Sequence, residues 1–220
     1  ALNILYKKKK IKVKYFYSDK LWEKELPKKA DKVFIYKGII KKILRKCVYT
    51  IISKNLRYFF LNEILHEEVK IINKSNCDLV IFPSQNITSY QVNKKTISTI
   101  HDLMHIYESR FSEYTKKIIE QRDLHYQRIC KFCDGIFVDS LMGKQHVINS
   151  YKVKKDKLLT LPFVAPNYLK KKNRINIFKK FNLKKKYLFY PAQFWEHKNH
   201  IFLIKGFKEA LKNNKDITLV

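Results

Sequence analysis

The sequence predicts an α/β protein built on a mostly parallel sheet with helices on both faces. Two observations carry this reading. Short apolar runs recur along the chain, each stopping abruptly at a polar or turn residue, and stretches with apolar residues at helical spacing separate them. The runs at 79–82 and 135–138 are also apolar throughout rather than alternating, the pattern of strands covered on both faces.

The elements follow in order. Residues 1–20 are ambiguous, although Ile11, Val13 and Tyr15 alternate with lysines as in an edge strand with its lysines outward. A short strand is expected at 33–36. Gly38 opens an amphipathic stretch to about 53, with Ile39, Ile40, Ile43, Leu44 and Cys47 on one face. A second helical pattern runs over 56–73 through Phe59, Phe60, Ile64, Leu65 and Val69. Strands follow at 79–82, ended by Pro83, and at 97–100, ended by His101. The spacing of Ile118, Ile119, Leu124, Ile129 and Phe132 predicts a long helix over 113–132. A third buried strand is expected at 135–138, Ser140 is placed to N-cap the helix after it, and a fourth strand lies at 158–161.

From Pro162 to Arg174 the pattern lapses into two prolines and a basic run. A fresh unit then begins, with a strand at 187–190, a turn, a helix at 200–212 and a strand from 217. The expected division is therefore a domain over 1–163, a linker over 164–177 and the start of a second domain over 178–220. The chain opens without Met and closes inside an apparent strand, and is expected to be an internal piece of a longer protein.

Composition limits the function classes. The formal charge is +28, from 41 Lys and 6 Arg against 19 acidic residues. Phosphate binding scales with the cations engaged, so a basic nucleic-acid-binding module is one reading. Against it, the lysines are scattered through every element, and the abundance of Lys, Ile, Asn, Tyr and Phe beside 4 Gly and 5 Pro fits AT-rich codon usage. Peripheral contact with an anionic membrane is compatible with the same charge. Four cysteines make no disulfide framework in a chain of this size and fit a reducing compartment. Cys130 and Cys133 form a CxxC within a helical pattern and lack the second ligand pair that zinc needs.

Two strand ends carry the candidate chemistry, because open α/β sheets bind ligands outside the carboxyl ends of their strands. One is YLFYPAQFWEHKN at 187–199, which offers Gln193, His197, Lys198 and Asn199. Lys198 precedes a helix whose free N–H groups suit an anion such as a diphosphate; the alternative is an ordinary surface lysine. The other is TISTIHDL at 96–103, where His101 and Asp102 follow a strand and His105 comes four positions after His101. Three readings stay open there: a metal site, acid–base chemistry by a histidine with a carboxylate partner, or a capping Asp beside a packed His. The two strand ends are expected to face each other across a cleft. Neither a phosphate-binding G-x-x-x-x-G-K turn nor a G-x-S-x-G elbow is present.

The stretches TISTIHDLMHIYESRF, DGIFVDSLMGKQHVINSYKV, KLLTLPFVAPNYL and YLFYPAQFWEHKNHIFLIKGFKEAL resemble, in order and spacing, the family-4 retaining glycosyltransferases (glycosyl transferases group 1) of the GT-B fold. The resemblance covers about 77–220. It implies two Rossmann-like domains, here an acceptor-side domain followed by the truncated start of a nucleotide-sugar-binding one. The function implied is transfer of a sugar from a nucleotide-diphosphate sugar to a glycan or lipid-linked acceptor, with retention, in cell-surface polysaccharide or lipopolysaccharide synthesis. On this resemblance Lys198 binds the donor diphosphate, with Gln193, His197 and Asn199 in the same turn, and His101, beside Asp102, contacts the donor sugar near the reacting carbon. Ser140 matches a strand-end serine on the donor side. Gln193 stands where the family often has Arg, which leaves a catalytically impaired scaffold as an alternative. No cofactor or metal is implied, and the location implied is cytoplasmic, at the inner face of a membrane. The glycine-rich first turn and the later glutamate-pair segment of the family are expected to lie outside this sequence.

Overall fold

The computed structural model describes residues 11–35, 67–165, 176–183, 186–214 and 216–220. In chain order the described strands and helices are β1 (Lys14–Tyr17), β2 (Asp31–Phe34), α1 (Glu67–Lys74), β3 (Leu79–Ile81), β4 (Lys95–Ile100), α2 (Met104–Tyr107), α3 (Lys116–Phe132) and β5 (Gly135–Val138). They continue with α4 (Leu141–Tyr151), β6 (Leu158–Thr160), α5 (Ile177–Lys180), β7 (Lys186–Leu188), α6 (His200–Leu211) and β8 (Ile217–Leu219). The helix expected over 38–53, most of that over 56–73 and the lapse after 165 lie outside the described residues. Two compact units result, Ala1–His101 with Tyr126–Thr160, and Asp102–His125 with Leu161–Val220. The segment 102–125, which the sequence division places in 1–163, thus groups with the later part of the chain.

The first unit holds a four-stranded parallel sheet in the order β3-β4-β5-β6, flanked by helices. Each strand adds beside its predecessor, so strand order does not reverse within it. A helix-bearing crossover returns the chain from β4 to β5 through α3 and from β5 to β6 through α4, as parallel pairing requires. Central β5 is buried on both faces, which is why GIFV reads as a continuous small-and-apolar run. Gly135 lets the two strands pack closely: a Cβ there would come 3.2 Å from the Ile97 side chain, which would have to shift by a few tenths of an ångström. Asp134 fixes the register just before it, its backbone N–H donating to Thr96 O and its carboxylate accepting from Thr96 N, at 2.9 and 2.8 Å.

Ile100, Ile129, Ile136, Val138, Val147 and Leu158 form the interior beside Tyr126 and Cys133, and all are buried. Each such aliphatic contributes about 1.5–3 kcal/mol of burial free energy. A second cluster of Ile72, Val80 and Phe82 packs against Phe16 of β1, Cys77 and Val92. β1 and β2 pair in parallel as a separate two-stranded sheet. Cys130 lies on α3 and Cys133 is the residue just after it: Cys133 donates to Ser89 O, and burial pushes Cys130 up to about 12 and Cys133 upward, so neither is a ready thiolate.

The second unit is built differently. β7 and β8 pair in parallel with α6 between them in sequence. Among the described residues from 176 to 220 none is buried, and Phe194 and Phe202 are 90% and 72% exposed. Among the described residues no helix is long and apolar enough to cross a membrane.

Candidate functional site

The 187–199 stretch folds as strand, turn and helix start. The β7–β8 pairing runs past Leu188 in hydrogen bonds, with Val220 N donating to Leu188 O and Tyr190 N to Val220 O. Pro191 has no N–H to continue the ladder and the chain leaves the sheet there. A 3-10 turn over Glu196–Lys198 follows, and Asn199 then takes a left-handed conformation, φ 50°, with its side chain accepting from Phe202 N. Asn suits this position because its short amide tolerates the left-handed region and caps the helix at the same time. The Tyr190 hydroxyl donates to Lys198 O at 2.8 Å and ties the top of the strand to the end of the turn.

Two further ties come from the segment before α3. Ser112 N donates to Glu196 Oε2 at 2.9 Å, and His197 Nδ1 pairs with Glu113 Oε1. Adjacent residues on one segment thus grip adjacent residues on the other, and the Phe111 ring lies 5.7 Å from the His197 ring. The hydrogen bond from His197 holds the Glu113 carboxyl below its ordinary value, and the bond from Ser112 does the same for Glu196. Glu113 Oε2 is buried and finds no hydrogen-bond partner among the described residues, so His197 is the main support of that carboxylate. These ties explain why 102–125 groups with the second unit.

The turn divides its polar residues by task. His197 and Glu196 are used in the ties and Asn199 in the cap. Lys198 and Gln193 are exposed, and Lys198 makes no ion pair among the described residues. The turn therefore presents one cation from a segment held by four contacts.

The other strand end lies on the carboxyl edge of the four-stranded sheet. Ile100 pairs with Val138, which sets His101 and the Asp139–Ser140 pair beside each other along that edge. Ser140 caps α4 by accepting from Gly143 N at 3.0 Å and donates its hydroxyl to Asp139. A side chain at Gly143 would meet both Asp139 Oδ1 and Ser140 Oγ at 3.2 Å. His101 is half-buried. Asp102 accepts from Met104 N at 3.0 Å and from the Arg122 guanidinium at 3.2 Å, which makes it an anchor for α2. Arg122 also lies over the Tyr114 ring. His105 is fully buried, and burial together with Arg122 lowers its pKa and favours the neutral ring. No group of His, Cys, Asp or Glu suited to a metal ion occurs among the described residues.

Sequence reasoning missed Tyr190, Ser112, Glu113 and Arg122. The sequence marks Tyr190 only as strand, and Glu113 as the first residue of a helix that starts at Lys116 in the structure. Polar pairs separated by eighty-four positions leave no periodicity to find. Neither the scan against protein-family models nor the search of curated proteins gives a match.

Proposed function

We propose that the chain belongs to a retaining glycosyltransferase of the GT-B type, moving a sugar from a nucleotide-diphosphate sugar to a glycan or lipid-linked acceptor. The observation that carries the proposal is the turn before α6, which exposes Lys198 while hydrogen bonds and a cap occupy its neighbours. The ordered series of strand-end motifs supports the same reading. In the reaction the bond from the anomeric carbon to the diphosphate oxygen breaks and a bond to the acceptor oxygen forms. The acceptor proton leaves with the departing phosphate oxygen. Lys198 stabilises the charge that grows on the diphosphate, and a fixed cation does this without reorganising during the step. His101 orients the sugar, and Gln193 offers the leaving group a neutral amide. Cytoplasmic work at the inner face of a membrane, in polysaccharide synthesis, belongs to this proposal.

Lys198→Ala is expected to lower turnover of the nucleotide sugar by about 10²–10³-fold, the scale for losing one preorganised charge-stabilising group. Near-normal turnover in that variant overturns the assignment.

A further inference from the structure

A second feature lies at the opposite edge of the four-stranded sheet, where β5 and β6 begin. There α3 and α4 end near one another, with the Tyr126 and Tyr151 rings edge to face at 6.5 Å. Between these helix ends and the chain leading into β6 is a hollow of about 520 Å³. Its wall carries Lys131, Lys152, Lys154 and Lys157, with Gln127 and Tyr151 adding an amide and a hydroxyl, and no Asp or Glu.

The ordinary explanation is that lysines neutralise helix carboxyl ends, and one of them does so: Lys157 Nζ donates to Cys130 O at 2.6 Å. The arithmetic leaves a surplus. Two helix ends carry about −0.5 each, so four ammonium groups exceed them by roughly three positive charges. None of the four lysines forms an ion pair among the described residues. Lys152 adds an independent sign. It ends α4 in the left-handed region, φ 54°, where Gly is usual and a larger side chain costs about 1–2 kcal/mol. At that cost Lys152 brings a cation to the rim of the hollow.

We propose that this hollow binds a small ligand bearing two or more phosphate groups, either free or as the headgroup of a lipid. Its volume falls within the about 300–1,000 Å³ usual for small-ligand sites. Lysines act on phosphate as point charges, so such a site selects for charge density more than for shape. It sits at the amino edge of the sheet, away from His101 and Ser140, and does not depend on the glycosyltransferase reading.

The test is calorimetric titration with inorganic pyrophosphate and, in parallel, sedimentation with vesicles of phosphatidylcholine and cardiolipin, a lipid whose headgroup bears two phosphates. Both use a Lys198→Ala background, so that the turn before α6 does not contribute. Lys152→Glu with Lys154→Glu is compared with Lys116→Glu with Lys117→Glu, which makes the same charge change at the exposed start of α3. The proposal expects saturable binding that the 152/154 pair weakens at least tenfold and the 116/117 pair leaves within about threefold. Loss confined to pyrophosphate identifies a free phosphate ligand, and loss confined to vesicles a headgroup; either supports the site. Equal loss in both pairs, or no saturable binding of either probe, overturns it.

Discussion

The carboxyl edge of the four-stranded sheet and the turn after β7 are both strand ends, yet they are held by different forces. At the first, His101 and Ser140 follow strands whose neighbours Ile100, Ile136 and Val138 are almost fully buried. At the second, no described residue from 176 to 220 is buried, and the turn is fixed by the Tyr190 hydroxyl, the Asn199 cap and the grip of Ser112 and Glu113. Apolar burial is indifferent to pH and depends weakly on salt, whereas ties made of carboxylates respond to both. A strand end positioned by packing and one positioned by polar ties should therefore fail under different conditions.

The largest effect that tests this contrast is in the packed region. Ile136→Ala is expected to destabilise the first unit by about 2–5 kcal/mol, from lost burial and the cavity left behind. Phe202→Ala, on the exposed face of α6, should change stability by less than about 0.5 kcal/mol. Chemical denaturation of the two variants measures the difference; similar losses would mean that α6 is covered by more than the described residues show.

A smaller, more local effect concerns Glu113. Glu113→Gln keeps the shape but removes the charge that His197 meets, so amide exchange over 193–199 should quicken several-fold while exchange in β5 is unchanged. The pH dependence has a definite sign. The Glu113 and Glu196 carboxyls sit below their ordinary value of 4.5 when folded, so their contribution is complete above that value and fades as pH falls through the lowered folded values. The turn should loosen in acid before the four-stranded sheet does, as read by exchange or by limited proteolysis between 190 and 199. Tyr190→Phe is the mildest change. Losing one exposed hydroxyl contact should cost about 0.5 kcal/mol and, on the function proposed above, raise KM for the nucleotide sugar more than it lowers kcat.

These forces also explain which parts of the fold could be read in the sequence. GIFV at Gly135–Val138 was legible to the residue because a doubly covered strand must be apolar throughout, and Ser140 was legible as a cap because the cap is local. The strand after 186 was read to Tyr190, while the regular pairing stops at Leu188 and only hydrogen bonds of Tyr190 and Val220 continue it. The apolar spacing extends α3 back to 113, three residues before its start at Lys116, because apolar spacing does not mark a first turn. The structural marker is Thr115, whose oxygen accepts from Ile118 N at 3.4 Å. At the candidate site, strand-end position alone makes Lys198 and His101 candidates, and the structure places His101 directly after β4 and Lys198 in the turn between β7 and α6. The supports from Ser112, Glu113 and Arg122 were hidden, since a polar pair formed across the chain imposes no pattern on either partner's neighbours.

The central claim is that the turn before α6 holds its one exposed lysine ready for a diphosphate. Calorimetric titration of the protein with nucleoside diphosphates, comparing wild type with Lys198→Ala, tests it most directly. The account predicts saturable binding in the wild type and at least tenfold weaker binding in the variant. Equal affinity in the two proteins would contradict it.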